Sequence, residues 1–149
     1  MADFKTTIRE EITLDDTRRV YEHVETIAGI NWVSERTMPV PTAEVTVIAF
    51  GTAVGAATFD EDDVRYIRLT NKDATNFIQI IIANENNNES AYKLEAGHSM
   101  LVAVSEEGVV NVHDADDTAL TSVSFGDITS ITALANTAEC RLQYVVASV

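Results

Sequence analysis

The chain is expected to fold as an all-β protein, an antiparallel sandwich or barrel of about eight to ten short strands with little helix. Three observations lead there. Apolar and polar side chains alternate with a period of two from end to end, while helical periodicity is scarce. Val, Ile, Thr, Tyr and Phe fill the alternating stretches, the residue types that suit a half-buried pleated surface. Clusters of Asp, Asn, Glu and Gly interrupt them at a spacing of roughly 8–12 residues.

The elements follow in order. Phe4, Thr6 and Ile8 alternate with Lys5, Thr7 and Arg9, and Ile12 and Leu14 continue the extended reading. Val20 to Ile27 fits either a strand or one short helix, and Ile30 to Met38 reads as a strand that carries Trp32. Pro39 and Pro41 then punctuate, because neither can donate to a central ladder. Regular strands are expected over Val45 to Phe50, Ala56 to Phe59, Val64 to Leu69, Phe77 to Ala83 and Met100 to Val104. Val109 to His113, Leu120 to Phe125, Ile128 to Leu134 and Cys140 to Val146 complete the series. Turns fall at Asp60 to Asp63, Asn71 to Asp73, Asn84 to Asn88, Glu95 to Gly97, Glu106 to Gly108 and Asp114 to Asp117.

A length of 149 residues with 46% hydrophobic content suits one domain with a full core. The stretch 1–42 is more charged and less regular. It supplies either outer strands of the same sandwich or an extended arm that pairs with a neighbouring subunit. Phe4, Ile8 and Ile12 are the arm residues, because an amphipathic strand with unpaired backbone groups readily adds to another sheet.

Charge and composition narrow the partners. The formal net charge is −14, with 24 acidic residues against 10 basic ones and no basic run, so direct binding to nucleic acid or to an anionic membrane is not expected. No apolar run approaches the roughly 20 residues of a spanning helix. Charges occupy the amino terminus where a signal peptide would be apolar, which points to synthesis in a cytoplasm. The single cysteine, Cys140, alternates with Leu142, Tyr144 and Val146 and is expected to face the core.

A search for chemistry returns little. Gly97-His98-Ser99-Met100-Leu101 lacks the second glycine of a nucleophile elbow, and Gly51 to Gly55 has no Lys-Ser or Lys-Thr after it. His23, His98 and His113 do not have metal-ligand spacing. Two acidic turns are calcium candidates, with Asp60, Asp62 and Asp63 in one and Asp114, Asp116 and Asp117 in the other. Neither matches an EF-hand loop, and a solvated turn is the preferred reading of both. Trp32, Tyr66, Phe77 and Tyr144 all fall in strands and are expected to be buried, which disfavours a carbohydrate platform. No catalytic residue, enzymatic activity or cofactor is expected.

Three segments carry a family likeness. Val64 to Ile78, reading VRYIRLTNKDATNFI, resembles a strand-turn-strand segment of small virion structural proteins of tailed bacteriophages, the marine-phage type. Tyr92 to Leu101 is similar to their "L-x-A-G-x-S/E" turn, and Ile131 to Val146 resembles their closing hairpin. The resemblance implies a jelly-roll-like sandwich with a passive place in the particle. With the small size and acidity, it leads to the expectation of a capsid decoration (cement) protein that bridges capsid subunits. Its partners would be other virion proteins, the major capsid protein first, with many copies or a homo-oligomer. A neck, tail or fibre component and a carbohydrate-binding adsorption module are the alternatives. Within the first segment, Asn71 and Asp73 are expected to bond their own backbone and to tolerate the left-handed region, and Asn76 to make a similar local bond; in the second, Gly97 is expected to take a positive φ.

Overall fold

Strands alone make up the regular structure in a computed structural model that describes residues 2–51, 57–104, 112–113 and 125–149. They are β1 (Ala2–Leu14), β2 (Thr17–Ile30), β3 (Trp32–Val40), β4 (Val45–Phe50), β5 (Thr58–Phe59), β6 (Val64–Asn71) and β7 (Ile78–Asn84). The series continues with β8 (Glu89–Leu94), β9 (Ser99–Val104), β10 (Val112–His113), β11 (Phe125–Gly126), β12 (Ile128–Ala135) and β13 (Cys140–Ser148).

Two sheets form the body, ordered β5-β4-β12-β7-β8 and β3-β13-β6-β9. Apart from the short parallel β4–β5 pairing, their ladders are antiparallel. Setting aside β5 and the β10–β11 pair, the eight body strands in chain order lie first-eighth-third-sixth in one sheet and second-seventh-fourth-fifth in the other. That interleaving is the double Greek key of a jelly roll. All chain connections but β7 to β8 cross between sheets, so each sheet is stitched from residues far apart in sequence.

The dry interior comes from the inward half of each alternation. Ile78, Ile80 and Ile82 of β7 and Ile131, Ala133 and Ala135 of β12 meet Ile67 and Leu69 of β6 and Cys140, Leu142, Tyr144 and Val146 of β13. Cys140 is fully buried and the sandwich is closed as the alternation foretells. Val64 joins the same interior because a register shift between Ala147 and Ser148 turns the end of β6 over. Tyr66 therefore faces the outside of its sheet, where the first two strands cover it.

Of the two readings open for Val20 to Ile27, the strand is the one the chain takes, within a 14-residue β2 whose partners on β1 supply the hydrogen bonds that a helix would otherwise have to make locally. Other expectations need correction. Pro39 does not end the third strand but lies inside it, opposite Arg141; β3 is an edge strand, so one side of it needs no donor. Strand β8 was not anticipated, since Glu89-Ser90-Ala91-Tyr92-Lys93-Leu94 buries only Leu94. It is the outer edge of its sheet, hung on β7 through a turn in which the Asn84 side-chain oxygen accepts from the Asn86 and Asn88 amides at 3.1 and 2.9 Å. The expected strands at Val109 to His113 and Leu120 to Phe125, the Glu106 to Gly108 turn and the start of the one at Ala56 lie largely or wholly outside the described residues.

Residues 1–42 divide into an outer strand of the body and a separate hairpin. Strand β3 is an outer strand of the body, while β1 and β2 form a separate two-stranded sheet.

Candidate functional site: the β1–β2 arm and its base

Strand β1 has 13 residues and β2 has 14, so at about 3.3 Å per residue the hairpin spans roughly 40 Å. Asp15 and Asp16 make its two-residue turn, with φ of 48° and 60°. Positive φ at both central positions is the geometry whose twist matches antiparallel strands, and Asp tolerates it because a short polar side chain offsets part of the Cβ penalty. Pairing runs without interruption from Phe4–Ile27 to Leu14–Thr17. At the base the register shifts between Ala2 and Phe4, and Gly29, at φ 80°, supplies the left-handed backbone that this shift requires.

The base is anchored. Ile27 and Ile30 are buried with Tyr66 and Ala147 on the outer face of the four-stranded sheet, and Phe4 packs on the Tyr66 ring at 4.7 Å between centroids. Of the expected arm residues, Phe4 is thus part of the anchor. Beyond Thr6 and Glu25 every residue of the hairpin is exposed.

The two faces of the free stretch differ. One carries Arg9, Glu11, Arg18 and Glu22 together with Val20 and Val24, each 43% exposed. The Arg18 guanidinium donates to both Glu11 carboxylate oxygens at 2.7 Å and Arg9 adds a contact at 3.3 Å. Hydrogen bonding from Arg18, and then from Arg9, holds the Glu11 carboxyl below the usual carboxylate range. The pairing puts Ile8, Glu10, Ile12 and Leu14 with His23, Tyr21, Arg19 and Thr17 on the opposite face. There Ile12, Leu14 and Tyr21 stand 46%, 52% and 56% exposed. Sequence reasoning identified Ile8 and Ile12 but missed Leu14 and Tyr21; the available signal was Asp15-Asp16 between two alternating runs, weaker than Asp-Gly as a hairpin mark.

Trp32, at the start of β3, is 73% exposed, against the expectation of burial. Its edge strand leaves the indole outside the sandwich, and with Phe59, Asp60, Asp63 and Ser148 it lines a cavity of about 400 Å³. Tyr66 and Tyr144 are buried as expected and Phe77 is half-buried, with the Lys93 ammonium 4.5 Å from its ring centre.

The acidic turn beside that cavity is held by its own backbone. Asp60 accepts the Asp62 amide on its side chain and the Asp63 amide on its carbonyl, both at 3.2 Å. Burial, followed by repulsion from Asp127, Asp62, Asp60 and Glu85, raises the pKa of Glu61. Among the described residues no three His, Cys, Asp or Glu side chains gather as a metal site, and Asp114, Asp116 and Asp117 lie outside those residues. His98 bonds the Ala96 carbonyl in its own turn at 2.8 Å, and His23 is exposed on the arm.

The segment from Val64 to Ile78 is a fold-making unit. Asn71 is fully buried, donates from Nδ2 to the carbonyls of Asn76 and Leu94 at 2.8 and 3.1 Å, and accepts the Asp73 amide at 3.0 Å. Asp73 in turn caps the amides of Thr75 and Asn76, which lowers its pKa. Gly97 takes the expected positive φ of 73°, whereas Asn71 and Asp73 do not enter the left-handed region, since their side chains close the turn without it. Asn76 takes part through its backbone, and its side chain makes no such local bond.

No protein-family model matches this chain, no curated protein matches its sequence, and no solved structure matches its fold.

Proposed function

We propose that the chain is a structural component of a tailed-phage particle, made in the host cytoplasm and carried in the virion, and that within this class it is a capsid decoration protein. The observation that carries the reading is the arm: a hairpin of roughly 40 Å, anchored at one end, whose free length presents an apolar stripe that nothing among the described residues covers. An isolated two-stranded sheet is marginal in water, so such an arm gains stability when a second surface closes over it. The jelly-roll strand order and the Val64 to Val146 likeness to small phage virion proteins support the same reading. The mechanism is burial of apolar surface across subunit boundaries, with the major capsid protein as the first partner and no covalent step.

Stoichiometry against the major capsid protein in purified particles tests this. Copies in proportion to capsid subunits support decoration, a single ring's worth supports the neck, tail or fibre alternative, and absence from particles removes the virion reading. A carbohydrate-binding adsorption role is favoured by one observation, the exposed Trp32 over its cavity beside Asp60 and Asp63. Saturable glycan-array binding that Trp32→Ala abolishes would establish that role instead.

A further inference from the structure

We infer that the free face of the arm is a self-complementary surface and that its occupant is the arm of a second copy of this chain, packed face to face and antiparallel. The inference concerns the purified chain alone and stands or falls without the capsid. Its basis is the order of residues along the stripe. Outward from the base, the cross-strand rows are Ile8–His23, Glu10–Tyr21, Ile12–Arg19 and Leu14–Thr17. A two-fold axis between the second and third rows brings each Glu10–Tyr21 row onto the Ile12–Arg19 row of the other copy, and each Ile8 onto a Leu14.

Arg19 then lies over the Tyr21 ring of the other arm and within side-chain reach of its Glu10 across two sheets spaced about 10 Å apart. Both charges are available: neither Glu10 nor Arg19 has a salt-bridge partner among the described residues, whereas Arg9, Glu11 and Arg18 on the opposite face are paired with one another. The opposite face also shows Val20 and Val24, each 43% exposed, but its Arg9, Glu11 and Arg18 hold one another; the face where Glu10 and Arg19 stand unmatched among Ile8, Ile12, Leu14 and Tyr21 is the one assigned to the interface. A two-fold contact must bring a patch onto itself, and this patch offers opposite charges at symmetry-related rows.

Antiparallel order also follows from the bodies. The chain carries a net charge of −14, and parallel arms would bring two acidic sandwiches together. Antiparallel arms put them at opposite ends of the pair, separated by more than the screening length of about 8 Å at physiological salt.

Sedimentation velocity over a concentration series tests the assignment. The wild-type chain is expected to dimerise, and Glu10→Lys or Arg19→Glu alone to weaken association by about tenfold or more. An equimolar mixture of these two variants restores opposite charges at both contacts, and is expected to regain most of the lost affinity as a heterodimer. Retention of the wild-type circular-dichroism spectrum separates these effects from misfolding. A wild-type chain that stays monomeric at every concentration overturns the inference, and if it still binds capsids through the stripe, the stripe belongs to a capsid subunit. Single variants that associate like the wild type, or a mixture that fails to regain affinity, overturn the proposed register.

Discussion

Replacing Asn71 by Ala should destabilise the chain by about 3 kcal/mol, because the side chain holds three backbone segments together at a point from which water is excluded. Two carbonyls and one amide lose their partner. The Leu94 bond is wholly buried, so its carbonyl bears a desolvation penalty of about 1–3 kcal/mol, while the Asn76 and Asp73 bonds, part-buried, are worth about 0.5–1 kcal/mol each. Those contributions sum to about 3 kcal/mol before any cavity is counted. With a urea m-value of roughly 2 kcal/mol/M, the unfolding midpoint falls by about 1.5 M. Asn71→Asp is the sharper perturbation: it keeps the acceptor for Asp73, loses the donor to Leu94 and Asn76, and sets a carboxylate against two carbonyl oxygens. It should therefore cost at least as much as Ala at neutral pH. Equilibrium urea unfolding followed by circular dichroism measures both. A loss below about 1 kcal/mol for Asn71→Ala would refute the reasoning, since the turn would then hold without its buried amide.

Three further outcomes are expected. The raised pKa of Glu61 means that the folded chain holds that proton more tightly than the unfolded one, so its contribution to stability falls as pH rises through the folded value. Glu61→Gln should accordingly raise the melting temperature at pH 7 by about 1–3 °C, with the gain shrinking toward zero once the pH is low enough to protonate Glu61 in the unfolded chain too; a gain that persists unchanged in acid would contradict the linkage. Trp32 is the chain's one tryptophan and stands outside the sandwich, so the neutral quencher acrylamide should quench native fluorescence nearly as well as it quenches the denatured chain, and a protected indole would show that the cavity is closed over. Cys140 is buried, its pKa is raised by desolvation and then by the Asp73 charge, and it should react with a thiol reagent only at the rate of unfolding.

That the chain is built of strands, and which side chains of many of them turn inward, is legible in the order of residues alone. Ile78, Ile80 and Ile82, or Cys140, Leu142, Tyr144 and Val146, alternate with residues that tolerate water, and a period of two leaves no other regular backbone that buries them together. Turn chemistry was equally local: the carboxamide of Asn71 and the carboxylate of Asp73 reach only two or three residues along the chain when they cap it. Strand β8 escaped notice because an edge strand with one buried residue has almost no alternation to read.

Which alternations are covered depends instead on how distant strands come together. Phe4, Ile8, Ile12 and Leu14 repeat along β1 just as core residues repeat along β13, yet the first is half-buried against Tyr66 and the others meet solvent. Trp32 has the local setting of a core residue and stands exposed because its strand is the last in its sheet. Burial is a relation between segments distant in sequence, here set by β13 inserting between β3 and β6, and period alone contains no information about which face finds a neighbour.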